Sequence, residues 1–157
     1  MIPYLVSAPL NSLITIERLY KQLPSGRLDA RIDPDRFTPR EIAAHLADWE
    51  PILRHRIESM LSEENPTLVV YDEGERAQQN RYWEQDVATS LRTFRAEREK
   101  SHQLISGLNR EQMMRPGLHP ERGPLTVMEL VQMLSGHDLY HIEQLTEVLA
   151  DDAIGTW

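Results

Sequence analysis

Apolar residues recur along this chain at three- and four-residue intervals in four stretches, the period of a helix face and not of a strand. Leu10, Leu13, Ile14, Ile16, Leu19, Tyr20 and Leu23 predict a first helix from about Pro9 to Gln22, with Pro9 in its opening turn and Pro24-Ser25-Gly26 as its stop. Ile42, Leu46, Trp49, Leu53, Ile57 and Met60 predict a second, fading around Leu61 to Glu64. Val87, Leu91, Phe94, Ile105 and Leu108 predict a third from an Asp86 cap to Ser106, stopped by Gly107. Two polar residues, Arg98 and Ser101, interrupt its stripe. Arg98 is expected at the edge of the core with its charge in water, or facing a polar cavity. Val127, Leu130, Val131, Leu134, Ile142, Leu145, Val148 and Leu149 predict a fourth, running to about Ala150.

Two of these helices announce their starts. Thr38-Pro39-Arg40-Glu41 and Thr126-Val127-Met128-Glu129 are both T-x-x-E capping boxes, in which the threonine accepts from the third helical N–H and the glutamate reaches back to the cap. Pro51 should bend the second helix locally. Between the helices lie two long connections. In Asn65 to Gln85, Thr67 to Tyr71 suits a short extended piece, Asp72 to Glu75 an acidic, solvated turn, and the rest a partly helical segment. Asn109 to Pro124 is rich in proline and glycine and reads as loop. The tail from Asp151 to Trp157 carries no strong signal. A connection of that first length fits a crossover between parallel helices. The predicted fold is all-α, a four-helix bundle with a long crossover between its second and third helices, in a single domain over residues 1–157.

Composition narrows the chemistry. The chain has 157 residues, enough for one buried core, and no run that would cross a bilayer. The first ten residues lack the basic segment of a secretory leader, so a cytoplasmic address is expected. There is no cysteine, which excludes disulfides, thiolate nucleophiles and cysteine zinc sites; any metal must use histidine, carboxylate or water. The net charge of −8, with no basic cluster, argues against nucleic acid as a direct partner.

The candidate chemistry lies in Gly136-His137-Asp138-Leu139-Tyr140-His141. Residues i and i+4 sit one above the other on a helix, and the apolar stripe turns both histidines inward. Such a pair can chelate a metal, and it can equally be two core histidines, since the spacing is common. It is not the zinc-protease H-E-x-x-H, so the usual general-base glutamate is missing. A third imidazole is offered by His45, which borders the inward face of the second helix. At ~1.5 Å per residue, His45 lies roughly 10 Å past its cap and the His137/His141 midpoint roughly 16 Å from the far end of the last helix. Those levels match better if the two helices are antiparallel. Three histidines would leave a fourth coordination position open, the layout of a catalytic metal site. His55, His102 and His119 are expected at the surface, at a helix terminus and in a solvated loop. Trp49 is expected in the core, or as a substrate wall. Asp48 is expected as an exposed helix carboxylate, or as an orienting partner of a ligand histidine. Arg81, Tyr82 and Trp83 either pack the crossover or bind an anionic thiol.

The segments EIAAHLADWE and GHDLYHIEQL, separated by a loosely structured middle, resemble the DinB/YfiT-like superfamily of metal-binding four-helix bundles, over nearly the whole chain. The resemblance implies a divalent ion on His45, His137 and His141, frequent homodimers, and relatives that transfer or isomerise through low-molecular-weight thiols. The activity expected first is therefore a thiol-dependent S-transferase or isomerase acting on an electrophilic small molecule, with Zn²⁺ or Ni²⁺ at the site. Two alternatives stand beside it: a non-catalytic, metal-stabilised dimeric binding protein of the stress response, and a metal-dependent hydrolase.

Overall fold

The computed structural model describes residues 3–151. Four long helices make the bundle: α1 (Pro3–Gln22), α2 (Pro39–Ser62), then, after the short α3 (Glu73–Gln79), α4 (Val87–Ser106), and, after a single turn α5 (Arg110–Met113), α6 (Val127–Ala150). Both T-x-x-E boxes close as expected. Glu41 N donates to Thr38 Oγ1 at 3.3 Å while Thr38 N donates to Glu41 Oε2 at 2.7 Å, and Thr126 with Glu129 repeats the pattern at the head of α6. Helix α1 begins six residues before the expected start, so Pro9 lies inside it. Helix α2 runs unbroken through Pro51.

Contacts between the helices give their directions. Tyr20, at the end of α1, donates to the Pro39 carbonyl at the start of α2 (2.5 Å), and Arg36, just ahead of α2, pairs with Glu143 and Glu147 late in α6 (both 3.0 Å). Helix α2 is thus antiparallel to α6. It is parallel to α4: Ile42 and Leu46 pack in one core cluster with Phe94, Ile57 and Met60 in another with Ile105. Joining parallel neighbours is what the 63–86 crossover is for.

The two connections are more structured than their composition suggests. The acidic stretch is not a free turn: Asp72 accepts from Glu75 N at 2.7 Å and opens α3. The second connection contains a β-hairpin, β1 (Pro116–His119) antiparallel to β2 (Gly123–Thr126), with His119 opposite Gly123 and a three-residue loop between them. Gly123 has φ +80°, the left-handed residue that closes such a loop. Thr67 forms a parallel bridge to Leu118, with Leu68 N donating to Leu118 O and Leu118 N to Pro66 O, both 2.8 Å. The hairpin thereby ties the crossover to the bundle. Arg115 caps the end of α2, donating to the carbonyls of Met60 (2.5 Å) and Glu63 (2.6 Å).

A polar layer crosses the middle of the bundle, between two apolar clusters. Arg98 of α4 is fully buried, not at the core edge, and its guanidinium reaches all the other long helices. It pairs with Glu50 of α2 (2.7 Å) and Asp138 of α6 (2.5 Å) and donates to the Pro9 carbonyl of α1 (2.7 Å). Ser12 of α1 also hydrogen-bonds Asp138. These carboxylates hold the guanidinium charged despite its burial. No described helix is long and apolar enough to cross a membrane.

Candidate metal centre

The antiparallel pairing of α2 and α6 brings His45 to the same level as His137 and His141. His45 Nε2 lies 2.8 Å from His137 Nε2, and His141 Nε2 lies 3.1 Å from the same atom. One nitrogen from each ring can be chosen so that all lie within 4.8 Å of one another. His141 Nδ1 donates to Gln144 Oε1 at 2.7 Å, which fixes the tautomer and leaves its Nε2 lone pair facing the other rings. His45 Nδ1 is buried without a hydrogen-bond partner.

Burial holds all three imidazoles neutral. The pKa of His45 is pushed well below its ordinary value by desolvation, then by His141 and His137. His137 is pushed down to about 4 by desolvation and the Arg98 charge, and His141 to about 3 by desolvation and His137. Neutral imidazole is the metal-binding form. The packing also argues for a cation. With His141 Nε2 unprotonated, one shared proton on His137 would have to serve both short contacts, whereas an ion would engage all three lone pairs. Three neutral nitrogens suit a borderline divalent ion and leave a position unfilled.

Beside His137 opens a cleft of about 330 Å³, whose walls include Trp49, Arg56, Glu73, His119, His137 and Tyr140. Trp49 packs against His45 with ring centroids 5.4 Å apart. A second cleft, on the α6 side, shares Glu73, His137 and Tyr140 and adds His141 and Gln144. Glu73, the first residue of α3, therefore stands on the wall of both openings to the histidines. Glu73 is exposed as a residue, and the partial desolvation of its carboxyl raises its pKa above the ordinary value, against a downward pull from Arg122 and with a smaller upward push from Asp72.

The sequence profile of the DinB superfamily matches residues 15–145. The chain belongs to that superfamily. A provisionally named metal-dependent hydrolase from Oceanobacillus iheyensis is 27% identical over 143 residues, covering 88% of this chain and 83% of its own. YfiT from Bacillus subtilis, described as a probable metal-dependent hydrolase with an unusual four-helix bundle topology, superposes with a TM-score of 0.87 at 21% identity. That match covers 94% of this chain and 85% of YfiT, and at such identity it speaks for the fold alone.

In this DinB-superfamily bundle the other candidate residues lie outside the histidine cluster, His55 and His102 where they were expected. His55 is exposed, and His102 donates from Nδ1 to the Val6 carbonyl at 3.2 Å, away from the site. His119 is not solvated: it is 3% exposed on β1 and lines the cleft. Asp48 neither orients a histidine nor stands free. It takes Arg76 at 2.6 Å through both oxygens, Tyr82 Oη at 2.6 Å and Asn80 at 3.1 Å, and so clasps the crossover to α2. Tyr82 is buried in that clasp, Arg81 pairs with Glu84, and neither they nor Trp83 line the clefts beside His137. Glu50, Asp138 and Glu73 also belong to the polar layer and the cleft, and no local pattern singles them out. The polar Arg98 in an apolar seam was the one signal pointing to the first two, since a buried charge needs opposite charges nearby.

Proposed function

We propose that this protein is a metal-dependent hydrolase of small molecules, with a divalent ion held by Nε2 of His45, His137 and His141. The convergence of three neutral imidazoles beside an open cleft carries this reading, and the names of the relatives support it over thiol transfer. When bound, such an ion polarises a substrate oxygen and acidifies a water. Glu73 is the general base: its carboxylate accepts the proton of the attacking water, and its raised pKa brings it closer to working pH. Gln144 holds His141 in the ligating tautomer. Trp49 and Tyr140 form apolar walls beside the reacting group.

The thiol-transferase reading uses the same three histidines with a low-molecular-weight thiol in place of water. Zn²⁺ and Ni²⁺ both suit the donor set. The test is to reconstitute the purified protein with each ion, measure metal per chain, and assay ester and amide panels with and without added thiol. Metal-dependent hydrolysis without thiol, lowered about 10²- to 10⁴-fold in Glu73→Gln with metal content unchanged, is expected. Turnover only with thiol would overturn the hydrolase reading, and failure to retain any ion would overturn both.

A further inference from the structure

The main cleft contains a second group of polar residues that the metal chemistry does not use. Arg56 lies two turns after Trp49 on α2, is 5% exposed, and stands with its guanidinium 5.9 Å from the Trp49 ring centroid. Its Nε donates to the Val69 carbonyl at 2.9 Å. The other buried arginine, Arg98, meets two carboxylates; Arg56 has no ion-pair partner among the described residues. Glu121 offsets its burial only at a distance, and a buried guanidinium without a directly paired carboxylate is costly and calls for a reason.

The hairpin adds more positive charge on the same wall. Its three-residue loop, closed by Gly123 at φ +80°, carries Arg122 to the cleft, where it too has no ion-pair partner among the described residues. The two guanidiniums act on each other: burial and then Arg122 lower the pKa of Arg56. His119, on the wall of the same cleft, is held neutral by burial and by both arginines. Its Nδ1 accepts from Glu121 N at 3.3 Å, so its Nε2 carries the proton and is free to donate. Two carboxylates, Glu73 and Glu121, share the cleft, and neither pairs directly with either arginine. Two arginines and an N–H donor on one cleft wall, with Glu73 and Glu121 acting on them only at a distance, are the chemistry of an oxyanion seat.

We propose that Arg56, Arg122 and His119 bind an oxyanion of the substrate, a carboxylate or a phosphate, in the cleft that His137 also lines. The Trp49 ring neighbours both groups, packing against His45 and standing beside Arg56. Resting on the hydrolase reading, this makes the substrate a small ester or amide that carries an anionic group within reach of the same cleft as the cleaved bond. The cleft, at the small end of the usual ligand range of about 300–1,000 Å³, fits such a molecule.

The test compares monomethyl and dimethyl glutarate as substrates of the metal-loaded protein, and measures binding of succinate and of inorganic phosphate by calorimetry. The charged ester is expected to have the lower KM, and that preference should shrink about 10- to 100-fold in Arg56→Met. Arg122→Ala, on an exposed loop, should shrink it in the same direction and keeps the test decisive if Arg56→Met does not fold. Whichever anion binds, with loss of binding in both variants, identifies the oxyanion. Equal KM for the two esters, with neither anion bound, overturns the seat and leaves the hydrolase standing. Anion binding that depends on Arg56 and Arg122, without turnover of either ester, supports the seat and counts against the hydrolase.

Discussion

Arg98 and Asp138 face each other across the bundle with Nη1 2.5 Å from Oδ2 and Nη2 2.9 Å from Oδ1, a two-pronged pair sealed from water. Asp138 is the next residue after His137, so the same turn of α6 points one side chain into the polar layer and the other at the candidate metal. The pair thus sets the rotation of α6 about its own axis, and with it the aim of His137. Replacing a buried pair outright can be neutral, whereas removing one partner strands the other's charge. Arg98→Met leaves both Glu50 and Asp138 unpaired in the core. It is expected to cost about 3–5 kcal/mol, seen as a lower urea midpoint. A shift under about 1 kcal/mol would mean that the layer is not a structural clamp.

The three histidines should act as one unit in metal binding. His45→Ala, His137→Ala and His141→Ala are each expected to lose bound Zn²⁺ at stoichiometric supply, while His55→Ala and His102→Ala keep it. Metal at a hundred times its dissociation constant should stabilise the wild type by about 2.7 kcal/mol. That increment should vanish in the same three variants and in no others. Thermal melts with and without the ion, alongside metal analysis, check both statements.

What the sequence disclosed follows from the range of each interaction. The helix starts at Thr38 and Thr126 are written in four adjacent residues, and the one-turn spacing of His137 and His141 is a property of a single helix. Both were legible. The antiparallel approach that brings in His45 was visible only as a loose match of levels, because helix direction depends on a crossover some twenty residues long. The hairpin was invisible: its strands have four residues each, contain Pro116, Gly117, Gly123 and Pro124, and show no apolar alternation. His119 was therefore misplaced in solvent. The start of α3 carried a usable signal, since Asp72 stands three residues before Glu75 as an N-cap does, but its helix is polar and seven residues long. The meeting of Glu50, Arg98 and Asp138 joins three helices and could not be assigned from any one of them.

The hairpin's seat on α2 makes a sharp prediction at Gly117. A Cβ at that position would lie 2.8 Å from Met60 Cγ, closer than real contacts allow, and Met60 is fully buried. Gly117→Ala is expected to destabilise by about 1–3 kcal/mol through overpacking. Because β1 carries His119, the same change should displace the cleft wall. Gly117→Ala combined with Met60→Ala, which removes the colliding atoms, should recover part of the loss relative to Met60→Ala alone, and a double-mutant cycle measures it. Strict additivity would show that the hairpin does not rest on Met60.

The pH dependence of the metal-free protein separates the histidine cluster from the acid residues. His137 and His141 titrate at about 4 and about 3 in the folded chain, against about 6.5 when unfolded. Between those values the unfolded chain binds protons that the folded one does not, so stability rises with pH through the window and is complete above about 6.5. Falling pH should therefore weaken the metal-free protein from about pH 6.5 downward. The carboxylates held low by ion pairs, such as Asp48 and Glu97, have ordinary values near 4 and contribute to acid unfolding only below that. Glu73, whose pKa is raised, works in the opposite direction as pH falls, so over the interval from about pH 4.5 to 6.5 it is the difference between wild type and a histidine variant that reports on histidine. Urea midpoints across it should drop in the wild type and drop less in His137→Gln, whose amide takes up no proton in either state. Midpoints that change equally in the wild type and in His137→Gln from pH 6.5 to 4.5 would mean that the His137 imidazole is not held neutral by the fold, and that protons would compete with metal near neutral pH.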